Sequence, residues 1–226
     1  MSRDHETTQS PAPDQSPAPD YFADAVKSMT DTAVRPGIEL SNIRPPRNLA
    51  PLSHAIGLEV QRGHGGAEVV GAVPEFSDPD AGGDAFGRLI LLHDPQGEDQ
   101  WDGAKMRLVA YIQADMDASV AGDPLLPDVA WDWLTEELEG PAVAHTDLGG
   151  TVTSTASVRY GQIGGPPRAF QLEMRASWTA TGTDLSGHVQ AFARVLAKVA
   201  GLPPEGVATL SSPGARGSRA PRATGS

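Results

Sequence analysis

The chain has 226 residues, with 17 basic and 29 acidic side chains and a formal net charge of −12. Arg216, Arg219 and Arg222 lie in an acid-free C-terminal stretch, so the rest is more negative still, a field that repels nucleic acid and anionic membrane. There is no cysteine, which removes disulfides, thiol catalysis and cysteine-ligated metal, and no apolar run approaches the roughly 20 residues of a membrane helix.

The N-terminus is polar and acidic where a signal peptide would be apolar, so a cytoplasmic protein is expected. Residues 1–19 hold a Ser-Pro-Ala-Pro-Asp repeat, starting at Ser10 and again at Ser16, and read as a disordered tail. Residues 206–226 read as a disordered basic tail, and 20–205 as one α+β domain.

The first helix is predicted from Asp20 to about Thr32, with Phe22, Val26 and Met29 on one face. Pro36-Gly37 stops it, and Pro45, Pro46 and Pro51 make residues 38–52 read as a stiff, extended connection. Alternation at Ile56, Leu58 and Val60 predicts a strand over 54–61. Residues 62–86, rich in Gly, Asp and Pro, read as a flexible insertion. Arg88 to His93, with the run Leu89-Ile90-Leu91-Leu92, suits a strand covered on both faces. In the next, Met106 to Met116, Met106, Leu108, Ala110, Ile112 and Ala114 share one face. Arg107, Tyr111, Gln113 and Asp115 share the other.

A second helix is predicted after Pro124 or Pro127 and ends at Gly140-Pro141, with Trp131, Leu134 and Leu138 inward. Strands over Thr151 to Tyr160 and Phe170 to Thr179 form an antiparallel hairpin, and a last helix spans about Asp184 to Ala200. The order is α-βββ-α-ββ-α, with a five-stranded antiparallel sheet and helices packed on it. That order resembles type III secretion chaperones and sensory-transduction-regulator-like proteins, which often dimerise; a fold does not fix a function.

Arg44-Pro45-Pro46 with Leu49-Ala50-Pro51, Leu91-Leu92-His93-Asp94-Pro95, Asp123-Pro124-Leu125-Leu126-Pro127, Trp131-Asp132-Trp133-Leu134, Arg175-Ala176-Ser177-Trp178 and Ala200-Gly201-Leu202-Pro203-Pro204 spread across residues 20–205. Together they resemble the actinobacterial domain-of-unknown-function 3000 family. The resemblance implies no activity. It does imply a gene neighbourhood near haem biosynthesis, which makes a porphyrin-type ligand or reaction the alternative to a protein partner.

No catalytic motif is present. His93-Asp94 is the most enzyme-like pair, but adjacent strand residues face opposite ways, and Asp94 before Pro95 reads as a turn. The histidines show no zinc spacing, and the Gly63–Gly66 and Gly82–Gly87 stretches lack the remaining residues of a nucleotide loop. Neither a metal nor a cofactor is expected. Of the tryptophans, Trp131 and Trp178 read as core, while Trp133 fits either a helix–sheet edge or a partner surface.

The most distinctive surface is a polar sheet face. Thr151, Thr153, Thr155, Ser157 and Arg159 run beside Gln171, Glu173, Arg175, Ser177 and Thr179. Arg159 and Arg175 are candidates to receive carboxylates, with Glu173 on the same polar face and Arg44 and Arg47 on the stiff segment as further contacts. The expected function is a non-enzymatic binding or adaptor module for protein partners, with a homodimer expected. The alternative binds a haem-type small molecule through His93, Arg175 and a tryptophan-lined pocket.

Overall fold

A computed structural model describes residues 20–60, 85–95, 106–162 and 168–205. The two expected tails and residues 62–84 of the expected insertion lie outside these residues. Among the described residues four helices and six strands follow in the order α1 (Asp20–Thr30), β1 (Ile38–Ile43), β2 (Leu52–Val60), β3 (Ala85–His93), β4 (Met106–Asp115), α2 (Ala118–Ala121), α3 (Leu126–Leu138), β5 (His145–Val158), β6 (Arg168–Ala180) and α4 (Ser186–Val199). The sheet order is β1-β2-β3-β4-β6-β5, and all five pairings are antiparallel.

The fold is α+β, but the sheet has six strands and not five. The additional strand is β1, inside the segment expected to be a connection. Its prolines flank it at Pro36 and at Pro45-Pro46 without entering it, so no amide that points toward β2 is missing from Ile38–Ile43. The short helix α2 was also not foreseen, and β3 begins at Ala85, taking Ala85 and Phe86 out of the expected insertion.

Strand β5 begins six residues earlier than its alternation indicated, because Asp147 and Gly149-Gly150 look like loop chemistry. Gly150 is a packing requirement instead. A Cβ there would lie 2.3 Å from the Arg175 carbonyl oxygen and 2.8 Å from Trp131 Cζ3. Asp147 takes φ 55°, where the pairing with β6 shifts register between Thr146 and Gly149.

Alternation assigns the two sheet faces. On one, Ile56, Leu58, Leu89, Leu91, Leu108, Ile112, Leu172, Met174 and Trp178 are buried in one apolar cluster with residues of α1, α3 and α4. Helix α4 supplies Val189, Phe192, Val195, Leu196 and Val199 at helical spacing. Phe192 fits over Gly87, where a Cβ would sit 2.7 Å from its ring. Ion pairs from Glu137 to Arg194 (2.5 Å) and Lys198 (2.9 Å) tie α3 to α4. Helix α1 joins through Phe22, Ala25 and Met29, and its Ser28 Oγ accepts the Leu185 amide at 2.9 Å.

Candidate functional site

The second face of the sheet carries a small separate cluster, Ala55, Ile90 and Leu92, with Ile43, Ala50 and Val109 against it. None of α1, α3 and α4 contributes to that cluster. Strand register sets this face in rows that cross the sheet. One row runs Ser41, Gly57, Arg88, Tyr111, Arg175 and Thr151. Its neighbour runs Glu39, Glu59, Phe86, Gln113, Glu173 and Thr153. A row of cations and a phenol thus lies beside a row of acids and an amide.

Side chains of the two rows engage each other. The Tyr111 hydroxyl lies 2.7 Å from Gln113 Oε1 and 3.0 Å from Glu173 Oε2. A phenol has one proton, so the two acceptors share it. Arg175 Nε donates to Glu173 Oε1 at 2.8 Å, and its guanidinium carbon lies 5.6 Å from the Tyr111 ring centroid, within cation–π range. Arg88 takes the same position over Phe86 at 5.7 Å. Burial, reinforced by the Glu173 hydrogen bond and charge, pushes the Tyr111 phenol up to about 12. Tyr111 is therefore a neutral donor at physiological pH.

Exposure divides the roles. Tyr111 and Gln113 are buried, whereas Arg175 exposes about half of its side chain and Thr151, Thr153 and Thr155 are exposed. The buried pair therefore sets where Glu173 and Arg175 stand, and the exposed groups form the surface. One strand across, Arg107 donates to Ser177 Oγ (2.7 Å), Thr179 Oγ1 (3.1 Å) and the Asp147 carbonyl (3.0 Å), fixing the sheet's far end.

Of the residues singled out in the sequence, Glu173 and Arg175 meet in this site. Arg159 lies beyond the end of β5, eight residues from the Thr151 that faces Arg175, or about 27 Å along the strand. Arg44 and Arg47 are exposed on the β1–β2 connection, whose Ala50 packs on the apolar part of the same face. His93 is on the helix-covered face, fully buried, with Nε2 2.8 Å from the Tyr21 hydroxyl and the Phe22 ring stacked at 6.1 Å. Trp133 is half-buried against the helix-side core. Trp178 is core and donates from Nε1 to His188 Nδ1 at 3.0 Å. Trp131 is half-buried against the Gly150 backbone, and Ala130 takes the inner position expected for it. The residues of the expected haem-type site are thus dispersed: Arg175 stands on one face of the sheet and His93 on the other.

Tyr111, Gln113, Arg88 and Phe86 were not singled out. The alternation of β4 already put Tyr111 and Gln113 on the same face as Arg107, but only the β4–β6 register brings them to Glu173. Among the described residues no group of three or more His, Cys, Asp or Glu could hold a metal ion. No helix among them is long and apolar enough to cross a membrane.

The family model described as "Protein of unknown function (DUF3000)" matches residues 18–208. No curated protein and no solved structure matches the chain. The likeness in element order to secretion chaperones therefore has no matching structure behind it, and β1 and α2 alter that order.

Proposed function

The chain belongs to the DUF3000 family, and we propose that it is a cytoplasmic, non-enzymatic binding module whose protein partner docks on the β6–β5 part of the second sheet face. The observation that carries this reading is the Tyr111–Glu173–Arg175 assembly. Two buried groups, Tyr111 and Gln113, hold a half-exposed guanidinium in place beside a row of exposed threonines. An arginine whose rotamer is already fixed loses less entropy when it receives a carboxylate, and arginine with an aromatic neighbour is enriched where binding energy concentrates. The threonines add short hydroxyls that bond to a partner's backbone at little conformational cost. The neighbouring acids, Glu39, Glu59 and Glu173, select against a strongly acidic surface and favour a partner of mixed charge.

A photoreactive side chain placed at Thr151, on this face, tests the reading against one placed at Asp24, exposed on α1. An adduct with one other protein from Thr151 and none from Asp24 is the expected result. No adduct from Thr151, or equal adducts from both positions, overturns it. An adduct of twice the chain mass reports a second copy of the chain and is counted apart from the adduct with another protein.

A further inference from the structure

The two edges of the sheet are built differently. Edge strand β1 has six residues, carries the exposed Glu39 and is bracketed by Pro36 and Pro45-Pro46. Short length, charge and proline are the usual means by which an edge is kept from pairing with another chain. Edge strand β5 has fourteen residues, no proline, and Asp147 as its one carboxylate, with no lysine or arginine. Among the described residues it pairs only with β6, and every residue from Thr153 to Val158 is exposed. Its pairing with β6 is free of register shifts from Gly149 onward, so this stretch presents a regular row of outward backbone groups.

We propose that β5 pairs antiparallel with β5 of a second copy, joining two sheets into one about a two-fold axis near Thr153. The strand is complementary to its own reverse. With Thr153 facing Thr153 of the partner subunit, Thr151 faces Thr155 of the partner subunit and Gly149 faces Ser157 of the partner subunit. Small residues meet small residues and threonines meet threonines, a favourable cross-strand pair. Toward the end of the strand, the apolar Val158, 46% exposed in the single chain, gains cover from the second copy. The half-buried Trp131, lying on Gly150, gains cover from Ala156 of the partner subunit.

These pairings favour a second copy over an unrelated extended peptide. The chain is strongly acidic overall, and two copies repel except where the contact is nearly uncharged, as this stretch is. An isologous two-fold contact also closes on itself and does not propagate into fibres.

Sedimentation equilibrium of the full chain, with cysteine cross-linking, tests this. The natural sequence has no cysteine, so an introduced thiol is unique. The expected result is a mass twice the 23.6 kDa of one chain and a disulfide-linked dimer from Thr153→Cys but not from Ser41→Cys on β1. Thr153→Lys sets two ammonium groups against each other across the two-fold axis and should shift the mass toward one chain while the far-ultraviolet spectrum of the folded chain is kept. A single-chain mass at high micromolar concentration overturns the proposal. So does a dimer that links through Ser41→Cys, or one indifferent to Thr153→Lys. Arg175→Ala should leave the mass unchanged, so failure of this dimer is distinguishable from failure of the partner site.

Discussion

The Trp178 indole N–H donates to His188 Nδ1 at 3.0 Å, with both rings buried and nearly parallel, their centroids 6.2 Å apart. An acceptor at Nδ1 must carry its proton at Nε2, so this bond fixes a neutral tautomer. Burial, then the nearby His145, push the His188 imidazole down to about 4, while Asp184 opposes them.

Stability should therefore fall with acid in a defined window. Above pH 6.5 His188 is neutral in both folded and unfolded chains and contributes no pH dependence. Between pH 6.5 and about 4 the unfolded chain takes up a proton that the folded chain refuses, so stability drops as pH falls, by up to about 3 kcal/mol. Denaturant unfolding at pH 7 and pH 4.5 should show a smaller loss in His188→Gln, whose amide oxygen accepts the indole N–H without titrating. Equal losses in the two proteins would contradict this role.

Trp178→Ala should cost about 3–5 kcal/mol, as for other large aromatic truncations in a core. Half-buried Trp133→Ala should cost clearly less. Chemical denaturation separates them; equal costs would mean that the core is centred elsewhere.

Adjacent glycines in β5 should behave oppositely. Gly150→Ala forces a methyl into the Arg175 carbonyl and should destabilise by at least about 2 kcal/mol. Gly149→Ala meets nothing within 4 Å and should change stability by no more than about 0.5 kcal/mol. Melting curves of the two variants decide this; a benign Gly150→Ala would mean that β5 does not sit so close to β6.

The Tyr111 phenol should titrate near pH 12, against 10 for a free tyrosine. Because its folded value is raised, its contribution is complete below pH 10 and is lost as pH rises toward 12. Ultraviolet titration should show the latest phenol disappearing in Tyr111→Phe. Titration of that phenol at an ordinary tyrosine value would contradict the buried hydrogen bond to Glu173.

Much of the fold was legible because burial writes a period into the chain. The alternation of β4 and β6 gave their inner faces residue by residue, from Met106 to Ala114 and from Leu172 to Trp178. Strand β1 was hidden because an edge strand of six residues buries little, and nearby prolines dominate its reading. The start of β5 was hidden because a glycine required by close packing is indistinguishable in sequence from one required by a turn. Half of the site was legible for the same reason. Glu173 and Arg175 follow from the alternation of β6, whereas their union with Tyr111 depends on which strand lies beside β6. Strands β4 and β5 both precede β6 and flank it in the sheet; the β5–β6 hairpin is local, but the β4–β6 pairing spans α2, α3 and β5, and no local pattern encodes it.

The most direct test of the binding account is affinity capture of the tagged chain from a host lysate, with Arg175→Ala and Arg159→Ala run in parallel and bound proteins identified by mass spectrometry. The account predicts one near-stoichiometric protein that is lost with Arg175→Ala and kept with Arg159→Ala, since Arg159 lies beyond the end of β5. A partner indifferent to Arg175→Ala, or no partner with the natural chain, would contradict it.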